Sequence, residues 1–226
     1  RNISRIAAAY GYSADMTIFQ RNITMSLICK DDETLRRTSV RKLKPLAFNL
    51  NLIQQLSELS WLPVDNNVSI AEMEQAFRSI VRTKRFSRWT DLLLVSVGNA
   101  AFCRLFNGDL WAMLTVFAAT LLGFLVKQQL SRLKYNPLGV IILSAFAASM
   151  AAACAVIFQL GSTPQIALAT SVLFLVPGVQ MINSIMDLMH GHILMGISRG
   201  VHSIMMISCI TIGLSATMLI VGVNSL

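Results

Sequence analysis

Leu138 to Leu160 reads LGVIILSAFAASMAAACAVIFQL, twenty-three residues without a charge. At about 1.5 Å per residue, a helix of that length reaches roughly 35 Å and crosses a hydrocarbon core of about 30 Å. Toward the amino terminus, Leu110 to Val126 adds seventeen uncharged residues, and toward the carboxyl terminus Val201 to Val223 adds twenty-three. Ile166 to Met189 is long enough but is interrupted by Pro177-Gly178, and Leu92 to Phe106 is short, with Arg104 near its far end. The expected spans are therefore about 91–106, 110–126, 138–160, 165–189 and 200–223.

Composition agrees with lipid as part of the solvent. Apolar residues make up 54% of the 226, and only 13% are charged, against about 25% in an average soluble domain. The charges are also segregated. Up to Trp89 there are fourteen Lys or Arg and eight Asp or Glu, whereas from Thr90 only Arg104, Lys127, Arg132, Lys134 and Arg199 oppose Asp91, Asp109 and Asp187. A net charge of +8 is compatible with nucleic acid, but basic residues beside apolar helices mark the cytoplasmic face of a membrane. The expected fold is a polytopic α-helical membrane protein with about five spans, residues 90–226, behind a small amino-terminal cytoplasmic α+β domain, residues 1–89.

The loops set the orientation. Residues 82 to 88 hold four basic side chains and 127 to 134 hold three, whereas Asn107-Gly108-Asp109, Gly161 to Pro164 and Asn224-Ser225-Leu226 hold none. His190 to Arg199 reads as a further loop with one Arg and two His. This alternation places the first domain inside and the carboxyl terminus outside.

In the first domain, residues 2 to 10 read as a helix stopped by Gly11. Thr17 to Phe19, Ile23 to Ile28 and Leu35 to Val40 read as strands, with Asp31-Asp32 turning between the last two. Phe48 to Leu59 returns to helical spacing and is closed by Pro63. Ser69 with Glu72 forms a capping box ahead of a helix whose apolar face is Met73, Phe77, Ile80 and Val81. Residues 82 to 89 join this part to the membrane, and Trp89 beside Arg88 suits the headgroup layer. The chain opens in helical character without a Met, so further residues are expected upstream. Cys29, Cys103, Cys154 and Cys209 share no short spacing and imply neither disulfide nor metal; no cofactor is expected.

The fourth span carries the candidate chemistry. Pro removes a backbone donor and Gly adds no packing, so Pro177-Gly178 should break the helix within the bilayer, where unpaired backbone is tolerated only beside protein or a watery cavity. Beyond the break, Gln180, Asn183, Ser184 and Asp187 fall at offsets 0, 3, 4 and 7 and share one face. Half-helix amides beyond Gly178 can meet a carboxylate, and amide side chains can hold the rest of a small anion or zwitterion. Asp187 can bind an ammonium group, take a proton, or pair with Arg199 at the cytoplasmic exit. His202 is a candidate proton relay, although a satisfied interfacial His is the plainer reading. His190 and His192 read as solvated loop residues, and Arg104 as an anion contact or a snorkelling side chain. The run Ala145, Ala147, Ala148, Ser149, Ala151, Ala152, Ala153 lets the third span approach a neighbour closely. No Gly-x-Ser-x-Gly occurs, no His precedes His190, and no carboxylates pair beyond Asp31-Asp32-Glu33, so an enzyme is not expected.

Leu175-Val176-Pro177-Gly178, Asn183, Asp187-Leu188, Gly191, Gly196 and Arg199 together resemble the threonine/serine exporter (ThrE) family, in size its stand-alone YjjP-type subunits. Asn99 to Cys103 with Phe106-Asn107-Gly108, Asn136-Pro137, and Arg5-Ile6-Ala7 with Tyr10-Gly11 extend the likeness over nearly the whole chain. The family's upstream Gly-Ala-Glu-Thr…Arg-Val stretch is absent, and its first outer loop is commonly richer in glycine. The resemblance implies export of a small metabolite, linked to the proton motive force, across a bacterial inner membrane. Threonine and serine are the family's associated substrates, and succinate that of its two-subunit type. It also implies a YjjB-like membrane subunit as partner, in a homo- or hetero-oligomer. A regulatory or assembly subunit, or a hydrolase-like soluble domain on an anchor, are the competing readings.

Overall fold

The computed structural model describes residues 2–18, 22–43, 49–66, 68–82 and 87–222. The chain divides into two compact units, residues 1–85 and 86–226.

In the first unit, α1 (Asn2–Ala9) stops at Gly11, whose φ of +79° is open to glycine at no steric cost. There follows an antiparallel sheet of β1 (Tyr12–Ile18), β2 (Asn22–Cys29) and β3 (Arg36–Lys42) in the order β1-β2-β3. β1 begins five residues before the expected Thr17. Tyr12, Ala14, Met16 and Ile18 alternate with Ser13, Asp15 and Thr17, a period of two that Gly11 feeds directly. The register sets Ala14 opposite Leu27 and Leu27 opposite Arg37. Expected strand residue Phe19 lies outside the described residues. Between β2 and β3, Asp32 Oδ1 accepts from Thr34 N at 2.9 Å and from Thr34 Oγ1 at 2.6 Å, an Asx-type turn.

Helix α2 (Leu50–Leu59) is capped by Asn49, which accepts from Leu52 N at 3.2 Å; Phe48, its expected first residue, lies outside the described ones. Pro63 does not close this helix. It sits buried in the first turn of α3 (Leu62–Asn66), where a missing N–H leaves nothing unpaired. The end of α2 is set at Ser60, which donates to Ser57 O at 2.6 Å and accepts from Arg5 Nη1 at 2.5 Å. The Arg5 guanidinium also lies 3.6 Å from the Trp61 ring centroid. Helix α4 (Ile70–Val81) has the expected capping box: Ser69 Oγ accepts from Glu72 N at 3.3 Å, and Glu72 Oε2 accepts from Ser69 N at 2.9 Å. Ser69→Ala is expected to lower stability by about 1 kcal/mol, measurable by urea denaturation; an unchanged midpoint would remove the cap's role.

The second unit is wholly helical: α5 (Arg88–Leu105), α6 (Leu110–Arg132), α7 (Pro137–Ile157), α8 (Pro164–Thr170), a 3₁₀ turn at Leu173–Leu175, α9 (Gly178–Met189) and α10 (Ile193–Val221). Its centre is α7, packed between α6 and α10. The small-residue run of α7 sits at these contacts: Ala145, Ala148, Ala152 and Ala153 are fully buried. A Cβ added at Gly123 of α6 would lie 2.7 Å from the Ala148 methyl, and one at Gly213 of α10 would lie 2.6 Å from Ile142 O. At that spacing backbones touch, and dispersion replaces the hydrophobic drive that lipid cannot supply. Ser149 and Thr217 share a hydrogen bond of 2.6 Å across α7 and α10.

Three helices, α6, α7 and α10, are long and apolar enough to cross a membrane, and α8 through α9 form a fourth candidate bent by 58°. These make the chain a polytopic helical membrane protein. Helix α5 has eighteen residues but carries Arg88, Asp91 and Arg104.

Two expected loops are helical. α6 continues through Lys127 to Arg132, so of the 127–134 segment only its end is loop. α10 begins at Ile193, which puts Arg199 and His202 on a helix and leaves His190 to His192 as the connection. The reason is tertiary, since Gly196 and Gly200 pack this first stretch of α10 onto α9. At 29 residues and about 1.5 Å each, α10 measures roughly 43 Å and exceeds the hydrocarbon thickness.

Candidate functional site

The polar residues of the fourth candidate span are organised by how the helix breaks. Continuous helix ends at Thr170, seven residues before Pro177, so the interruption is wider than the Pro-Gly pair alone. Pro177 then adopts φ −81° and ψ 53°, and Gly178 N donates to Val176 O at 2.9 Å. This is an inverse γ-turn. Met181 N donates to Pro177 O at 3.1 Å and starts α9. Among the described residues, nothing accepts from the amides of Val179 and Gln180.

The four polar residues on α9 do not share one fate. Ser184 is buried and donates to Gly196 O of α10 at 2.6 Å. A Cβ at Gly200 would lie 3.0 Å from Ser184 Oγ, so Gly196 and Gly200 form a Gly-x-x-x-Gly seam that admits α9. Asp187 Oδ2 accepts from Arg199 Nη1 at 2.5 Å, the pairing expected for the two. Their side chains retain 23% and 39% exposure, so this ion pair is open at one side. Gln180 and Asn183 remain. Gln180 Oε1 is buried with no hydrogen-bond partner among the described residues, and Asn183 is half-buried. A buried amide oxygen without a donor is costly, and here it lies one turn beyond the γ-turn, on the helix that carries the free amides.

His202 is exposed on α10, three residues past Arg199, and no hydrogen bond joins it to the ion pair. His190 Nδ1 lies 2.6 Å from Met186 O. Among the described residues, no three His, Cys, Asp or Glu gather as a metal site.

One residue central to this architecture was not singled out for its chemistry in the sequence. Asn99 of α5 is buried, and its Nδ2 donates to Thr120 Oγ1 of α6 at 2.7 Å. The same nitrogen lies 3.2 Å from Thr170 O and 3.5 Å from Ser171 O, the carbonyls exposed where α8 ends. Two carbonyl neighbours fix the amide orientation, since an oxygen in that place would face acceptors. The available signal was a lone amide within the apolar run after Leu92, which in lipid needs a partner.

At the other end of α8, Asp109 caps α6 by accepting from Ala112 N at 2.7 Å, and reaches across to Ser162 N at 2.6 Å. Thr163 Oγ1 accepts in return from Asp109 N at 2.9 Å. The Ala112 amide first, then that of Ser162, holds the Asp109 carboxyl below its usual pKa. A lowered folded-state value means that the clasp stabilises above the ordinary carboxylate range and is lost as pH falls through the lowered value. The thermal unfolding midpoint is therefore expected to drop below about pH 4, and less so in Asp109→Asn. Parallel pH profiles for the two proteins would sink this assignment. Arg104, an expected anion contact or snorkelling residue, donates to Gly108 O at 3.2 Å beside the clasp.

Residues 1–221 match the family described as "Putative threonine/serine exporter" (ThrE). The "Probable succinate transporter subunit YjjP" of Escherichia coli (strain K12) is 32% identical over 201 residues, covering 87% of this chain and 76% of that protein. The protein of the same name from Klebsiella aerogenes is 29% identical over 220 residues, 95% of this chain and 83% of its own length. No solved structure matches the chain. With a family match over nearly its whole length, the chain belongs to the threonine/serine exporter family.

Proposed function

We propose that this chain is a subunit of a secondary exporter of small carboxylates, completed by a YjjB-like membrane subunit, with a pathway beside the Pro177 turn. The observation that carries the reading is Gln180 Oε1, buried with no hydrogen-bond partner among the described residues, on the helix whose first amides, Val179 and Gln180, find no acceptor there. Donors at a half-helix start suit a carboxylate, and a buried acceptor beside them suits a hydroxyl or ammonium group. Both relatives are named as succinate transporter subunits, which favours a dicarboxylate over threonine or serine.

In this reading the ion pair couples export to protons. While Asp187 is charged it holds Arg199; protonation of Asp187 releases the guanidinium to a substrate carboxylate, for which its planar fork is suited. In this reading α5 counts as a fifth span, the first unit is cytoplasmic, and the carboxyl terminus is periplasmic. The bilayer is the bacterial inner membrane. Pro177 and Gly178 shape the pathway, Gln180 and Asn183 line it, and Ser184 seats α9; His202, exposed and not bonded to the ion pair, is given no part in it. No catalytic role is assigned.

The test is efflux of labelled succinate, threonine and serine from cells carrying this chain and its partner. Gln180→Ala and Asn183→Ala, at equal membrane abundance, are expected to reduce efflux of one substrate class at least tenfold. Unchanged efflux of all three would move the pathway to the partner and make this chain a regulatory or assembly subunit.

A further inference from the structure

Where α8 ends, three oxygen atoms from two parts of the chain converge on a single nitrogen. Thr120 Oγ1 lies 2.7 Å from Asn99 Nδ2, Thr170 O 3.2 Å and Ser171 O 3.5 Å. All four residues are buried, none more than 4% exposed. An amide nitrogen carries two hydrogens, so three acceptors exceed what it can donate. Among the described residues, neither carbonyl accepts a backbone amide, because the helix that would have supplied one stops here.

This is an acceptor-rich cluster without a carboxylate. A divalent cation would need acidic ligands to offset its dehydration, and no acidic cluster occurs among the described residues. Neutral hydroxyl and carbonyl oxygens at an unwound helix are suited to a singly charged ion instead. A half-turn about the last side-chain bond of Asn99 exchanges Nδ2 for Oδ1 without altering the side chain's shape. The donor leaves, and a fourth oxygen takes its place.

We propose that Thr120 Oγ1, the carbonyls of Thr170 and Ser171, and Asn99 Oδ1 form a binding site for a monovalent alkali cation of sodium's size. In the ion-free state, the Asn99 amide stands in for the cation and keeps the broken helix satisfied. The site rests on the α5–α6–α8 junction and not on the Gln180 pathway, so it stands or falls apart from the exporter reading.

The test is thermal unfolding of the purified intact chain in lipid nanodiscs, without substrate, titrated with NaCl against choline chloride at constant ionic strength. A ligand that binds only the folded state raises the midpoint in a saturable way, and sodium is expected to do so while choline does not. Thr120→Val keeps the volume and removes one oxygen, and is expected to raise the half-saturating sodium concentration at least tenfold. Asn99→Asp keeps the shape and adds a charged ligand, and is expected to lower it at least tenfold. Superimposable curves in sodium and choline, for the unsubstituted chain and for Asn99→Asp, would overturn the proposal. So would a loss of stability in Asn99→Asp that sodium does not repair, since that is the behaviour of a purely structural latch. If Thr120→Val does not fold, the other two titrations decide. A sodium response without efflux of any substrate would leave this site and remove the exporter reading; efflux without a sodium response would do the reverse.

Discussion

Gly196→Val is expected to separate α9 from α10 and to lower stability by roughly 1–3 kcal/mol, the range for overpacking a close contact. A Cβ at Gly196 would lie 2.6 Å from Leu188 Cγ and 3.0 Å from Ser184 O. The leucine side chain can swing away, but the backbone oxygen cannot. The hydrogen bond from Ser184 Oγ to Gly196 O, 2.6 Å long, would be stretched by the same displacement. Gly98→Ala is the control. Nothing lies within 4 Å of a Cβ there, and alanine is the better helix former by about 1 kcal/mol. The measurement is the unfolding midpoint of each variant in detergent, together with protease sensitivity at the His190–His192 connection. Equal midpoints for Gly196→Val and the unsubstituted chain would mean that α9 is not held by this seam.

The second large effect concerns Asp187 and Arg199. Removing one partner of an ion pair in a medium of low dielectric leaves a charge without its counterion, at about 3–5 kcal/mol when burial is complete. Both side chains keep partial solvent contact, and exposure screens the loss, so Asp187→Ala and Arg199→Ala are each expected to cost about 1–3 kcal/mol. The double variant is expected to be more stable than the sum of the single losses implies, with a coupling of at least about 1 kcal/mol. Simple additivity would dissolve the pair. Transport supplies a second readout. Asp187→Asn imitates the protonated carboxyl, and efflux in that variant is expected to lose its dependence on the pH gradient while substrate exchange persists. Retained dependence on the gradient would move proton coupling to another group.

What could be read from the sequence was what neighbours in sequence decide. The Ser69–Glu72 box is a four-residue device and lies where it was expected. The apolar runs in α6 and α7 need only lipid to explain them. Pro177, which brings no N–H, closes the break, and α9 starts at the next residue. The rest depends on partners far along the chain. α8 ends seven residues early, at carbonyls met by Asn99, which is 71 and 72 positions away. The start of α10 looked like a loop because Gly196, Ser198, Arg199 and Gly200 dilute its apolarity. Those glycines are what let it pack against α9 as a helix. The strand at Thr17 and Ile18 was expected, but its first five residues were not, although the alternation already begins at Tyr12. Of the polar stripe, spacing placed Gln180, Asn183, Ser184 and Asp187 on one face but could not tell that Ser184 and Asp187 are already engaged by α10.

The clasp at Asp109 has a mechanical meaning. It ties the start of α6 to the residues just before α8 through a carboxylate that accepts from both sides, Ala112 and Ser162. Gly161 has φ +79°, and a Cβ there would collide with that carboxylate, so the knot has no slack. An exporter subunit of the kind proposed, opening alternately to two sides, could not use this end as its joint. The joint left to it is the turn at Pro177, beyond which α9 packs chiefly on α10. In the exporter reading proposed above, the helices up to α8 would serve as a stator and α9 as a lever, with Pro177, which has no N–H to donate, at the fulcrum.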